Sequence, residues 1–500
     1  MSEPQSPFDT LILGGGTAGC ALAARLSEDP DQSVCLLEAG PDYGPFEGGR
    51  WPVELVDART PCDTHDWYPG AQLSLARARV LGGCSAHNAC FVSLGDRRDY
   101  DEWARFARGW ECASLEPHLL SAQRSVRTRP LSDEELGPWA RTVRRAATEA
   151  GIPALDDFND LSSPQGVAFL PVNVNGFARW NSAFAYLDRA RERPNLTVLG
   201  DVLVDRILTE RGRAVGALAR RGGETLELEA GLVVLSAGAF GSPGILLRSG
   251  VGPADHLAGY DIPVAVDLPG VGANLLDHPG INMVFRASAE LEEELGRQEA
   301  DGRMVGGGTI ARARSGHCLE GTWDIHLVSW SARDRERITG GKWRVQLSPY
   351  AMKPASAGTV GLRSASADEP LAVDLGFLSD EEGIDLEVII DGVELVRHIA
   401  ATKTFAGDAA EESLPGPAVA SRAQIAAYVR ANVRGYFHGV GTCRMGRKSD
   451  PGAVVNAACR VHGFENLYVC DASVMPTIPR ANTNLTTIAI AERVAEIIQT

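Results

Sequence analysis

The sequence predicts an α/β protein whose core is a nucleotide-binding parallel sheet, with a further part built on a separate sheet. Three observations carry this expectation. A glycine-rich turn, Gly14-Gly15-Gly16-Thr17-Ala18-Gly19, stands between a short apolar run and a stretch of small helix-forming residues. Near-continuous apolar runs recur at residues 196–199 and 232–238, the pattern of strands buried on both faces. Residues 347–362 and 370–374 alternate instead and carry turn residues, the pattern of a second sheet.

Each element of the first unit has a physical reason. Phe8-Asp9-Thr10-Leu11-Ile12-Leu13 reads as a buried strand, and Ala18, Cys20, Ala21, Leu22, Ala23, Ala24 and Leu26 as the apolar body of a helix. Val34-Cys35-Leu36-Leu37 is the next strand, closed by Glu38, 19 residues past Gly19. Gly14 permits the tight turn, Gly16 the approach of a pyrophosphate, and Gly19 close packing of helix on strand. The helix N-terminus then faces the phosphates, and the carboxylate closing the second strand suits ribose hydroxyls. This context predicts dinucleotide binding, without separating FAD from NAD(P).

Composition narrows the function classes. Hydrophobic residues at 44% and charged residues at 23% are those of a globular protein. Lys+Arg of 48 against Asp+Glu of 65 gives −17, which argues against nucleic acid or an anionic membrane surface as partner. Residues 1–7 lack the basic start and apolar run of a signal peptide. No uninterrupted apolar stretch reaches the about 18 residues of a membrane span. Among ten cysteines, Cys20, Cys35 and Cys470 sit in apolar runs, and Cys84 and Cys90 have no matching second pair. No metal site is expected from them, and a reducing, cytoplasmic setting fits best. No G-x-S-x-G stands between a strand and a helix, so a Ser/His/Asp triad is not supported. No internal repeat is found, residues 290–303 read as a solvated helix or loop, and a homo-oligomer stays open.

Five separated segments, in order along nearly the whole chain, resemble the glucose-methanol-choline (GMC) oxidoreductases. They are the fingerprint through Glu38-Ala39-Gly40; Arg79-Val80-Leu81-Gly82-Gly83-Cys84-Ser85-Ala86-His87-Asn88-Ala89 with Arg98-Asp99-Tyr100-Asp101-Glu102-Trp103; and Ser236-Ala237-Gly238-Ala239-Phe240-Gly241-Ser242-Pro243. The fourth is Pro269-Gly270-Val271-Gly272-Ala273-Asn274-Leu275-Leu276-Asp277-His278-Pro279, and the fifth runs from His438 to Asn484. The resemblance implies FAD as cofactor and two interleaved domains. An FAD domain takes residues 1–150, 196–285 and 456–500. A substrate domain on an antiparallel sheet takes residues 151–195 and 286–455. Carried over residue by residue, the cofactor contacts are Gly14, Gly16, Thr17, Ala18, Gly19, Glu38, Ala39, Gly82, Ser85, His87, Asn88, Val204, Ala237, Asp471 and Ala472. His87 is similar to the choline-oxidase branch, where this histidine is bonded to the flavin 8-methyl carbon. An imidazole nitrogen is a competent neutral nucleophile for such a link.

Alcohol oxidation needs one group to take the hydroxyl proton and another to fix the oxygen while the carbon hydride goes to flavin N5. The family's catalytic pair maps onto His438 and Asn484, with Asn482 the competitor for the second place. His326, Tyr436 and Phe437 are candidates for the substrate pocket, whereas His278 and His462 read as structural. The segment Met304-Val305-Gly306-Gly307-Gly308-Thr309-Ile310-Ala311 offers neither the aromatic face nor the acid that a quaternary ammonium wants. The expected substrate is a small neutral primary alcohol, with oxygen as electron acceptor. A dehydrogenase passing electrons to a quinone or a protein is the alternative. An FAD-containing lyase of the hydroxynitrile lyase type is the alternative of another class.

Overall fold

A computed structural model describes residues 7–500 except 60, 61, 63, 68, 70–74, 163, 164, 304, 305 and 410. Residues 1–6 and the pair Met304-Val305, both used above, lie outside the described residues.

The first apolar runs form a parallel sheet in the order Leu196–Leu199, Val34–Leu37, Phe8–Leu13, Glu224–Leu235, with Leu467–Val469 beyond. Glu224–Leu235 is long because it serves two partners. Its first half pairs antiparallel with Arg213–Arg221, which continues to Leu203–Glu210, and its second half enters the parallel sheet. The helix Thr17–Leu26 packs on this sheet, and the C-terminal helix Thr483–Gln499 packs on that helix. Glu492 of the latter ties the two by a paired contact to Arg25, at 2.7 and 2.9 Å.

The second sheet is antiparallel throughout, in the order Glu411–Leu414, Val284–Arg286, Trp343–Ala351, Ile325–Arg333, Thr309–Ala313, Gly166–Phe169. The period-two alternation sorts its side chains. Ile325, Leu327, Val345 and Leu347 face a core filled by the helices Ile384–Ala400 and Pro138–Glu149. The intervening positions point the other way. Arg312, His326 and Tyr350 stand side by side across three strands on that opposite face.

The α/β class with two sheets and two cores holds, and the second sheet is antiparallel. Core membership does not follow the expected limits of 150, 195, 285 and 455. Trp139, Val143 and Ala146 fill the second core, whereas Ala183, Tyr186 and Leu187, and later Cys443 and Val454, fill the first. Strand Val284–Arg286 belongs to the second sheet. The reason is packing: the apolar face of Pro138–Glu149 has its partner in the antiparallel sheet, whatever its place in the chain. Residues 359–361 leave the large sheet and form a separate ribbon, Thr359–Gly361 with Ala372–Asp374. The charged segment forms the helix Ala289–Ala300, capped by Ser288, and it buries Leu291 and Leu295 on one side. Among the described residues no helix is long and apolar enough to cross a membrane.

Candidate active site

The nucleotide cradle is set by backbone. Gly14 has φ +112°, and a Cβ there would meet the Ser236 carbonyl oxygen at 2.6 Å. A Cβ on Gly19 would meet the Gly14 oxygen at 1.9 Å, so both positions require glycine. Gly16 differs: its nearest neighbours would stand at 3.9 Å, leaving room beside the helix N-terminus where a pyrophosphate is expected. Thr17 and Ala18 open that helix. Glu38 is buried, and its two oxygens accept from the amides of Gly15 (2.9 Å) and Gly40 (2.8 Å). Burial pushes its carboxyl up to about 7, against the pull of those amides.

The remaining expected cofactor residues fall into two groups. Ser85 donates to the Gly82 carbonyl at 2.6 Å and accepts from the Ser182 amide, while the Ala39 carbonyl accepts from Arg79. Asp471 is a clasp: it accepts from the Gly238 amide, the Ser242 hydroxyl and the Ser473 amide, joining the C-terminal segment to the turn after Ala237. Ala472 accepts from the Gly441 amide, Val204 is buried in its strand, and Asn88 closes a turn on the Cys90 amide. His87 stands apart. Its Nε2 is buried with no hydrogen-bond partner among the described residues, and desolvation holds the ring below the usual histidine range.

The second half of the site is built where two segments run antiparallel, bridged at Leu276 with Val440 and at Gly280 with Arg434. Between them Asp277 Oδ1 accepts from the amides of His278 (2.8 Å), His438 (2.9 Å) and Tyr436 (3.3 Å). Phe437 takes φ +68°, rare for a bulky residue, and so turns Tyr436 and His438 inward together. Phe437 itself is 40% exposed. Tyr436 stacks on Tyr350 with ring centroids 4.2 Å apart and lies 4.4 Å from the His438 ring. His326 is fully buried, stacked on Trp323 at 4.9 Å, and neither ring nitrogen has a partner among the described residues.

His438 is almost buried, and its partner is Asn482, not Asn484. Asn482 Nδ2 lies 3.2 Å from His438 Nε2. Asn482 is the residue just before the helix Thr483–Gln499, so its side chain projects off the helix end. Asn484 lies in the first turn, rotated away, with a buried Nδ2 that has no partner among the described residues. A second correction concerns His278, whose Nδ1 lies 3.0 Å from His438 Nδ1. It is part of the site, and no local spacing signals that, because 160 residues separate the two. His462 does play the structural part expected, on the Gly446 carbonyl at 3.1 Å.

Electrostatically the niche keeps its imidazoles neutral. Burial drives His438 down to about 3, with the Arg77 charge adding to it. Burial likewise drives His278 and His326 well below the usual range, and Arg312 contributes to the latter. Asp277, His278 and His438 bring three ligand-type atoms within 4.8 Å, though His278 and His438 spend theirs on one another.

A glycine cradle with open room at Gly16, and unpartnered buried polar atoms on His87 and Asn484, fit a bound dinucleotide. With a desolvated His438 hydrogen-bonded to Asn482, they mark a cofactor-dependent enzyme. The chain belongs to the GMC oxidoreductase family, whose N-terminal and C-terminal patterns match residues 8–280 and 354–491. It is 34% identical to mitochondrial choline dehydrogenase of Mus musculus, over 100% of this chain and 90% of that protein. It is 33% identical to 5-(hydroxymethyl)furfural oxidase of Methylovorus sp., over 99% of each chain. The crystal structure of pyridoxine 4-oxidase from Mesorbium loti superposes with a TM-score of 0.86 at 28% identity, covering 98% of this chain and 99% of that one. The protein is therefore an FAD-dependent oxidoreductase acting on alcohols.

Proposed function

We propose that the chain oxidises a small neutral primary alcohol to an aldehyde, with oxygen as the final electron acceptor. The observation that carries this is the contact of His438 Nε2 with Asn482 Nδ2 inside a niche of neutral imidazoles. Bound FAD supplies the two-electron acceptor for the hydrogen on the substrate carbon. His438 Nε2 takes the hydroxyl proton, and Asn482 Nδ2 donates to the oxygen as negative charge builds there. Arg77 acts on His438 and Arg312 on His326 with positive charge, which favours a developing alkoxide there, while the buried Asp277 under His438 offsets part of the Arg77 charge. Tyr436 stacks on Tyr350 and stands edge-on to His326, so the niche is walled by aromatic rings, which suits an aryl alcohol. Two of the similar proteins carry the names of ring-borne substrates, 5-(hydroxymethyl)furfural and pyridoxine.

His87 is the residue for a covalent link to the flavin 8-methyl carbon, since its ring is neutral and its Nε2 uncommitted. The same reading divides the chain into a flavin part and a substrate part according to the core each segment fills. Anaerobic mixing with a panel of alcohols tests the function. Aryl and aliphatic primary alcohols are expected to bleach the oxidised flavin band, and choline is not. Readmitted oxygen should restore the band with release of hydrogen peroxide. A band that stays yellow with every alcohol contradicts the oxidation. Bleaching without reoxidation by oxygen points to the dehydrogenase instead.

A further inference from the structure

The hydrogen-bond chain through the niche has a direction, and it can be read from its two ends. At one end His278 Nε2 lies 3.2 Å from the carbonyl oxygen of Pro479. A carbonyl only accepts, so His278 carries its proton on Nε2. The ring is fully buried and neutral, which leaves Nδ1 bare. Bare Nδ1 faces His438 Nδ1 at 3.0 Å and accepts from it. His438, also neutral, therefore carries its proton on Nδ1 and keeps Nε2 bare.

The other end gives the same answer independently. The Ser93 hydroxyl oxygen accepts from the Asn482 backbone amide at 2.9 Å, so its proton is free to donate onward. It donates to Asn482 Oδ1 at 2.8 Å. That fixes the orientation of the amide and turns Nδ2, a donor, toward His438 Nε2. A donor on that side needs an acceptor, which is the bare Nε2. The supporting frame is rigid: the Arg480 amide donates to Asp99 at 2.8 Å, and the Arg480 side chain pairs with the same buried carboxylate. This pins the loop that carries both Pro479 and Asn482.

We infer that His278 is a positioning residue that sets the tautomer of His438, so that Nε2, the nitrogen facing Asn482, is the one free to take the substrate proton. When Nε2 gains that proton, the Nδ1–H donation to His278 persists and spreads the new positive charge. The inference rests on His438 being the proton acceptor, but its first test does not involve substrate.

The test is ring nitrogen-15 NMR of flavin-loaded protein carrying labelled histidine, with the His438 signals assigned by their loss in His438→Gln. The expected spectrum has His438 protonated on Nδ1 and bare on Nε2. In His278→Leu the preference is expected to be lost, and anaerobic flavin reduction to slow by at least about 10-fold with KM little changed. His278→Asn, which puts an amide oxygen where Nδ1 stood, should restore both. A wild-type His438 protonated on Nε2 overturns the inference, and so does a His278→Leu variant with wild-type tautomer or wild-type rate. If His278→Leu loads no flavin, the wild-type and His278→Asn spectra decide. A correct tautomer with undiminished reduction in His438→Ala would leave the hydrogen-bond chain standing and defeat the proposed function alone.

Discussion

In the cradle around Gly14 and Gly19, Glu38 has both carboxylate oxygens on backbone amides, and Ser85 and Asp471 are likewise occupied by protein groups. In the niche around His438, both nitrogens of His326 and the Nδ2 of Asn484 are buried and unpartnered among the described residues. In the first region these three side chains are spent on holding a shape. The second pairs His438 with His278 and Asn482 but leaves other buried polar atoms uncommitted, where a hydrogen bond from a ligand counts for most. A buried polar atom left without a partner is costly, so a group that supplies the missing partner is strongly favoured. The difference separates shape, which admits the cofactor, from chemistry, which works on the substrate.

Substitutions in the two regions should therefore fail in different ways. Gly16→Val has the largest expected effect. Its Cβ meets nothing closer than 3.9 Å in the protein, so the fold should persist while the flavin content falls to near zero. The absorbance ratio of flavin to protein, with circular dichroism as the control for folding, checks this. A folded variant with full flavin would erase the contrast. Next comes His87→Ala. Wild-type protein precipitated with acid should keep its yellow colour, and the variant should release all flavin to the supernatant. A colourless wild-type pellet would show that no covalent link forms.

Asn482→Ala should slow anaerobic flavin reduction by about 10-fold or more, as loss of a donor to developing charge does. Asn484→Ala should lose less, since its Nδ2 does not reach His438. The reverse ranking in rapid-mixing traces would return the catalytic place to Asn484. The smallest expected effect is that of pH. His438, lowered from the usual 6.5 to about 3, is already the proton-accepting neutral form at neutral pH, and loses that form only as pH falls toward about 3. Flavin reduction should show no His438 titration between about pH 5 and 8. An inflection in that window that disappears in His438→Gln would mean the ring is more basic than its burial implies.

The cradle was open to sequence reasoning because its physics is local. A strand, three glycines, a helix and an acid stand within about thirty residues, each demanded by its neighbours. The niche was only partly so. His438 was found through its motif, but its partners arrive from elsewhere in the chain: His278 through the bridged segments, and Asn482 through a loop pinned on Asp99. The choice between Asn482 and Asn484 depends on where the helix begins, a boundary that spacing alone does not set. The exposure of Phe437 is hidden from spacing for a related reason, since its positive φ is a backbone feature.

The role of His438 as proton acceptor is tested most directly by anaerobic rapid mixing of His438→Ala with a substrate alcohol. The variant should retain FAD and fold but reduce its flavin at least about 10²-fold more slowly than wild type. Reduction at near wild-type rate, with the loss appearing instead in His326→Ala, would contradict it.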